Sequence, residues 1–138
     1  MSVNALNTAV SGLRTNQFRL DTSANNIANV NTDGFQSRTV QSSDRAYINS
    51  IGSGTQVAST YTNARPGPIA PVTEAAAGTG VQVMGGGNGG NSGAAQMSNT
   101  DLAREMTNLN ASRAAYGVNT VMGRTADEMT RTILDIQA

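Results

Sequence analysis

Apolar residues in this chain recur at coiled-coil spacing near its two ends and thin out between them. Val3, Val10, Gln17 and Ala24 fall seven apart, and Leu6, Leu13, Leu20 and Ile27 fall seven apart in the offset column. Alternating steps of three and four are the a and d positions of a heptad, so the spacing predicts a helix over residues 3 to 30, about 42 Å long at 1.5 Å per residue. Gln17 is the one polar break, and a polar a residue typically gives up stability to fix register or partner number. The rest of the helix surface, with Asn7, Thr8, Ser11, Arg14, Asn16 and Arg19, is polar but thin in charge. Such a face suits contact with other protein better than bulk water. Ser2 is a candidate N-cap. After Val30, the run Asn31-Thr32-Asp33-Gly34 favours side-chain bonding to its own main chain and left-handed backbone, and stops the helix.

The C-terminal segment mirrors the first. Ser98 followed three places later by Asp101 approximates a capping box, with Asp101 placed against the positive end of the helix dipole. Leu102, Met106, Leu109, Arg113 and Tyr116 then form one stripe, and Asn119, Met122, Ala126, Met129, Ile133 and Ile136 form a second. The join, 116 to 119 to 122, steps by three twice, a stammer that overwinds a coiled coil locally. Gly117 and Gly123 sit at that step, each costing about 1 kcal/mol relative to Ala, which suits either close approach of a neighbour or a slightly weak helix.

Between the ends, large hydrophobes are scarce. Short β runs are predicted at 56–58, 59–62 and 81–84, with a loose echo between 54–59 and 80–85. Arg65-Pro66-Gly67-Pro68 and Pro71 break regular structure, and Gly85 to Gly93 reads as a flexible linker. A lone hairpin here is marginal without a covering surface. The fold class expected is therefore mainly α: two long terminal helices pairing as an antiparallel coiled coil, with a short β and loop middle region. The segments divide as 1–35, 36–97 and 98–138.

Composition removes most chemistry. Of 138 residues, 38% are apolar and 4% aromatic, and the chain has no Cys, His or Trp. All nine basic residues are Arg, balanced by nine acids. Metal sites built on thiolate or imidazole are excluded, as are Cys-His and Ser-His nucleophiles. Zero net charge argues against a nucleic-acid footprint. The opening residues carry neither a charged n-region nor a continuous apolar stretch, so no cleavable signal and no membrane span are expected. Gly85, Gly87 and Gly90 satisfy G-x-G-x-x-G but lack the following helix that a dinucleotide site needs. Asn110-Ala111-Ser112 is a glycosylation sequon inside a predicted helix. Asp127 and Glu128 point about 100° apart on a helix and form no acid and base pair across a cleft. No enzyme, cofactor, metal or small-molecule substrate is expected.

Ala24-Asn25-Asn26-Ile27-Ala28-Asn29-Val30-Asn31-Thr32-Asp33-Gly34-Phe35, preceded by Ala5-Leu6 and Ser11-Gly12-Leu13, resembles the N-terminal signature of the bacterial flagellar rod, hook and hook-associated axial proteins. Asp101-Leu102-Ala103-Arg104-Glu105-Met106, Ser112-Arg113-Ala114-Ala115-Tyr116 and Thr125-Ala126-Asp127-Glu128-Met129 are similar to the matching C-terminal signature. The resemblance implies a structural subunit of the flagellar axis in the periplasm, exported by the flagellar type III apparatus without a cleavable signal. Its partners would be copies of itself or related axial subunits, and 1–35 with 98–138 would form one inner-tube domain. Only about sixty residues separate the signatures, which favours a proximal rod subunit, as do Gly54-Thr55-Gln56-Val57-Ala58 and Pro66-Gly67-Pro68-Ile69-Ala70. The uninterrupted Val30 to Phe35 wording is nearer the distal rod and hook pattern. A small helical adaptor would share the zippers but should carry specificity charges at e and g.

The residues expected at the assembly interface are the first-helix columns, Val3, Leu6, Val10, Leu13, Gln17, Leu20, Ala24 and Ile27, with Asn25, Asn26 and Asn29. From the second helix come Leu102, Met106, Leu109, Tyr116, Met122, Met129, Ile133 and Ile136. The Asn cluster is expected as a hydrogen-bonded junction between subunits, against the commoner role of a local cap. Leu13 and Met122 are expected to face each other across the pair. With so few large hydrophobes elsewhere, the free monomer is expected to fray.

Overall fold

The computed structural model describes residues 2–45, 54–71 and 94–136. Helix α1 (Ser2–Ala28) leads into strands β1 (Arg38–Arg45), β2 (Gly54–Thr62), β3 (Ile69–Pro71) and β4 (Ala94–Gln96), and helix α2 (Leu102–Ile136) closes the chain. The helices pack lengthwise and antiparallel. Asn26 meets Glu105, while Gly12 faces Asn119 and Ala9 faces Gly123, so numbers rise along one helix as they fall along the other. Seven residues back from Ala9 to Ser2 bring α2 to Thr130. Residues 131–136 therefore run past the start of α1.

The mainly helical architecture follows the sequence, and the differences lie at the joints. Helix α1 stops at Ala28, two residues early: the Asn29 amide still makes a helical bond to the Asn25 carbonyl, but the Val30 and Thr32 amides turn to carbonyls three residues back, those of Ile27 and Asn29, which tightens the chain into turns. Gly34 has φ 69, the left-handed conformation for which glycine carries no Cβ penalty, and its N–H reaches the Gln96 carbonyl at 2.7 Å. Asp101, not Ser98, caps α2: its carboxylate accepts from the Arg104 amide at 3.2 Å, whereas the Ser98 hydroxyl turns to Thr100. Helix α2 runs unbroken through Gly117 and Gly123.

Two predicted β runs merge into β2, which pairs antiparallel with β1 from Arg38 opposite Thr62 to Arg45 opposite Gly54. The register jumps between Gln41 and Ser42, leaving Ala58 as a bulge. Strand β1 was not expected, since Arg38-Thr39-Val40-Gln41-Ser42-Ser43-Asp44-Arg45 offers a single large apolar residue. It forms because α1 supplies the covering surface. Arg19 donates to the Ser42 hydroxyl at 2.6 Å, and Ser11 Oγ accepts the Thr55 amide at 3.2 Å. Strands β3 and β4 make a three-residue ladder. Pro71 ends β3 instead of preventing it, as a missing N–H costs little at an edge. The predicted run at 81–84, the echo at 80–85 and the glycine linker at 85–93 lie outside the described residues.

Candidate assembly interface

Among the described residues, Ala9 and Ala126 are the buried hydrophobic side chains; the other buried side chains are polar, namely Thr15, Asn16, Ser23, Asn26, Ser37, Ser98, Glu105 and Ser112. Ala9, Asn16 and Ser23 are seven apart on α1, and Glu105, Ser112, half-buried Asn119 and Ala126 are seven apart on α2. The seam between the helices is thus a heptad column of small and polar residues, adjoining the leucine columns singled out by spacing. Small side chains let the backbones approach. A Cβ on Gly12 would stand 2.5 Å from Asn119 Nδ2, a distance that real Cβ contacts do not show.

Asn26 is the knot of this seam, at 0% exposure. Its Oδ1 accepts from the Arg38 amide at 2.9 Å, and its Nδ2 donates to the Arg38 carbonyl at 2.7 Å and to Glu105 Oε1 at 3.1 Å. A side-chain amide has the donor and acceptor spacing of a peptide, so Asn26 pairs with the first residue of β1 as a further strand would. The Arg38 donor and the Glu105 acceptor together fix which way the amide points. Asn99 repeats the device one residue earlier: Oδ1 accepts from the Ser37 amide at 2.7 Å, while Nδ2 donates to the carbonyls of Asn63 and Arg65. Two amides therefore steer the chain from α1 into β1 and hold the start of α2 beside it.

The Asn26 amide is buried and engaged with Arg38 and Glu105 of its own chain, so its hydrogen bonds in this structure join the two helices to β1. Asn29 acts locally, donating to the Asn25 carbonyl at 2.9 Å and accepting from Thr32 Oγ1. Asn25 is exposed. Spacing missed Glu105, Asn99 and the small-residue column. The available signal was that second heptad column, but its period equals that of the leucines, so periodicity alone does not say which column turns inward.

The leucine columns lie beside the seam. Residues i−3 and i+4 sit about 40 to 60° to one side of residue i on a helix. Leu6 and Leu13 flank Ala9 in this sense, Leu13 and Leu20 flank Asn16, and Leu20 and Ile27 flank Ser23. On α2, Leu102 and Leu109 flank Glu105, and Leu109 and Tyr116 flank Ser112. In an antiparallel pair the same offset on both helices falls on one face. A groove lined by Leu13, Arg14, Gln17, Phe18 and Asp21 of α1 and by Tyr116 of α2 marks it. Leu13, Leu20, Ile27 and Leu109 are half-buried; Leu6, Val10, Gln17, Ala24, Leu102, Met106 and Tyr116 are exposed. Gln17 donates to Asp21 at 2.9 Å. Met122, Met129, Ile133 and Ile136 are exposed on the C-terminal half of α2, Ile136 to 79%. The Val3 side chain lies outside the described residues. Leu13 and Met122 do not face each other: Met122 is four residues before Ala126, which puts it on the opposite side of the pair. Exposed apolar residues in such number are unusual for a protein that works alone.

A family model described as flagella basal body rod protein matches residues 6–36. A second, described as flagellar basal body rod FlgEFG protein C-terminal, matches residues 91–136. Together they span more than half of the chain, in the order and at the ends where the helices lie. The chain belongs to the flagellar basal-body rod and hook family. No curated protein matches it. The matched families are structural components of the flagellum, and the two matches cover α1 with its turn and β4 with α2, the segments that build the helix pair. No described helix is long and apolar enough to cross a membrane, and no group of three or more acidic, His or Cys side chains able to hold a metal occurs among the described residues.

Proposed function

We propose that this rod-family chain is a non-enzymatic structural subunit of the proximal part of the periplasmic rod that assembles through the outer faces of its paired helices. The observation that carries this reading is the combination of rod-family matches at both ends with apolar columns that the chain leaves half-buried or exposed. Burying one such side chain completely contributes about 1.5 to 3 kcal/mol, so a partner that covers columns already partly out of water gains a share of this at each position, summed along the helix. Residues 1–35 and 98–138 act as one tube-forming unit, with 36–97 as an outer elaboration. The shortness of that middle region favours the proximal rod, while the unbroken Val30 to Phe35 phrase supports a distal rod or hook-type position as the second reading. Neighbours are further copies or related axial subunits, and delivery is by the flagellar type III apparatus.

Imaging basal bodies purified from cells carrying a tagged copy tests this. The tag is expected within the rod, and a deletion strain is expected to be non-motile, with basal bodies that lack the rod beyond this subunit. Complete basal bodies in the deletion strain would refute the proposal. The free chain is expected to fray in dilute solution, read as fast amide exchange through α1 in a verified monomer.

A further inference from the structure

The two apolar stripes of α2 lie on opposite sides of the helix pair. Leu109 and Tyr116 flank buried Ser112 at i−3 and i+4, whereas Met122 and Met129 flank buried Ala126 at i−4 and i+3, so the stripe crosses the seam between Tyr116 and Met122. The stammer is where it crosses. Each copy therefore presents one apolar face made of the α1 columns with the first half of α2, and a second on the far side made by the last half of α2 alone. Neither can cover the other within one chain. The β1–β2 hairpin packs on α1, and among the described residues no strand packs against α2.

We infer that these two faces are the complementary halves of one repeating contact: Met122, Met129 and Ile133 of one copy seat on Leu13, Phe18 and Tyr116 of the next. This rests on the rod reading above and adds which face meets which. Their dimensions agree. Leu6 to Ile27 runs about 32 Å along α1, and Val118 to Ile136 about 27 Å along α2. Fully burying an exposed aliphatic side chain removes on the order of 60 to 120 Å² from water. Phe18 and Tyr116 are 42% and 38% exposed and Met122, Met129 and Ile133 between 51% and 61%, so covering each removes about half of that. The contact is smaller than the roughly 800 Å² per partner of a standard interface and gains by repetition along the assembly. Residues 131–136 lie past Ser2 of α1, so Ile133 has no helix neighbour among the described residues. Pairing of unlike faces is head-to-tail and continues into a ring or an open helix, whereas pairing of like faces closes at a dimer. An axial subunit requires the former.

The absence of native Cys permits a direct test in basal bodies isolated from cells co-expressing full-length Leu13→Cys and Met129→Cys copies. The mixed disulfide dimer is expected several-fold above the dimer formed in either single-variant strain. Equal dimer from Leu13→Cys alone or Met129→Cys alone would mean like faces meet, and a cross-link solely to a different axial chain would mean the partner is not a second copy; either overturns the contact while leaving the rod reading in place. Met129→Glu and Ile133→Glu are expected to abolish incorporation while Cys placed at Ala9 and Gly123 of the same chain still cross-link, reporting an intact helix pair. Wild-type incorporation of both Glu variants would refute the inference. Absence of the unsubstituted chain from basal bodies would instead remove the rod reading, and this contact with it.

Discussion

The inner seam and the outer columns of the helix pair share a seven-residue period and differ in chemistry. Inside, Ala9, Asn16, Ser23 and Asn26 meet Glu105, Ser112, Asn119 and Ala126; outside, Leu6, Val10, Met106, Met122 and Ile133 stand exposed. Apolar contact is strong and non-directional, whereas a buried amide has a few allowed partners and is costly when it lacks them. The chain thus uses its directional groups to set its own register and leaves its non-directional surface for neighbours. Marginal stability of the lone subunit is the expected consequence, since few apolar side chains are removed from water within one chain.

Breaking the seam at its knot should have the largest effect. Asn26→Asp removes both donors, those to the Arg38 carbonyl and to Glu105, and sets a second carboxylate about where the Nδ2 now lies, 3.1 Å from Glu105 Oε1. Removing one partner from a buried charged network costs about 3 to 5 kcal/mol, a large part of the whole stability of a domain. Loss of the helix pair is expected, read as reduced helical circular dichroism and rapid proteolysis. Adding Glu105→Gln should recover part of the loss, because it removes one charge and supplies a donor. A stable Asn26→Asp chain would show that the knot is incidental to the pair.

That knot marks the limit of what the sequence makes legible. The helices are readable from their period, and the turn residues 31–34 mark the end of the first to within two residues and its left-handed glycine, because each rests on local chemistry. Their antiparallel pairing followed from chain length. Asn26 stands out as an amide near the helix end, but its partners Arg38 and Glu105 are 12 and 79 residues away, and no local pattern connects them. Strand β1 escaped for a related reason: its residues have little preference for a strand until Asn26 and Asn99 hold its first backbone groups and α1 covers one face. The side on which Leu13 and Met122 lie depended on which of two equal-period columns is buried.

A covalent link across the seam should have the next largest effect, in the opposite direction. A Cβ at Gly123 would lie 3.9 Å from that of Ala9, inside the 3.5 to 4.5 Å of native disulfides. Ala9→Cys with Gly123→Cys is expected to oxidise readily and to stabilise the pair by about 2 to 4 kcal/mol, measured by urea unfolding with and without reductant. Failure to oxidise would mean that the register is wrong at this end. The linked chain also provides a background in which smaller changes can be resolved despite the fraying expected of the free subunit.

In that background Gly12→Ala tests how tightly the seam is closed. Helix propensity favours Ala by about 1 kcal/mol, but the new methyl would meet Asn119 at 2.5 Å from Nδ2 and 3.0 Å from Cγ, and overpacking costs about 1 to 3 kcal/mol. A net loss of about 1 kcal/mol is expected, since the Asn119 side chain can swing only partly away. Combining it with Asn119→Ala should turn the loss into a gain. Additivity of the two substitutions would show that Gly12 and Asn119 are not in contact.

Gly117→Ala should produce the smallest change, with the most informative sign. Gly117 lies on the other helix, α2, and a Cβ there meets nothing within 4 Å, so only propensity acts, and the isolated linked chain should gain about 1 kcal/mol. The glycine sits where the apolar stripe of α2 crosses from one face to the other. If its role is to admit a neighbouring copy, the same substitution should lower incorporation into basal bodies while raising the stability of the free chain. If it is merely a weak point in the helix, incorporation should hold or improve. Unfolding of the linked chain and subunit content of purified basal bodies, measured on the one variant, separate these two origins: opposite signs place the need for glycine in the assembly, and like signs place it nowhere in the contact.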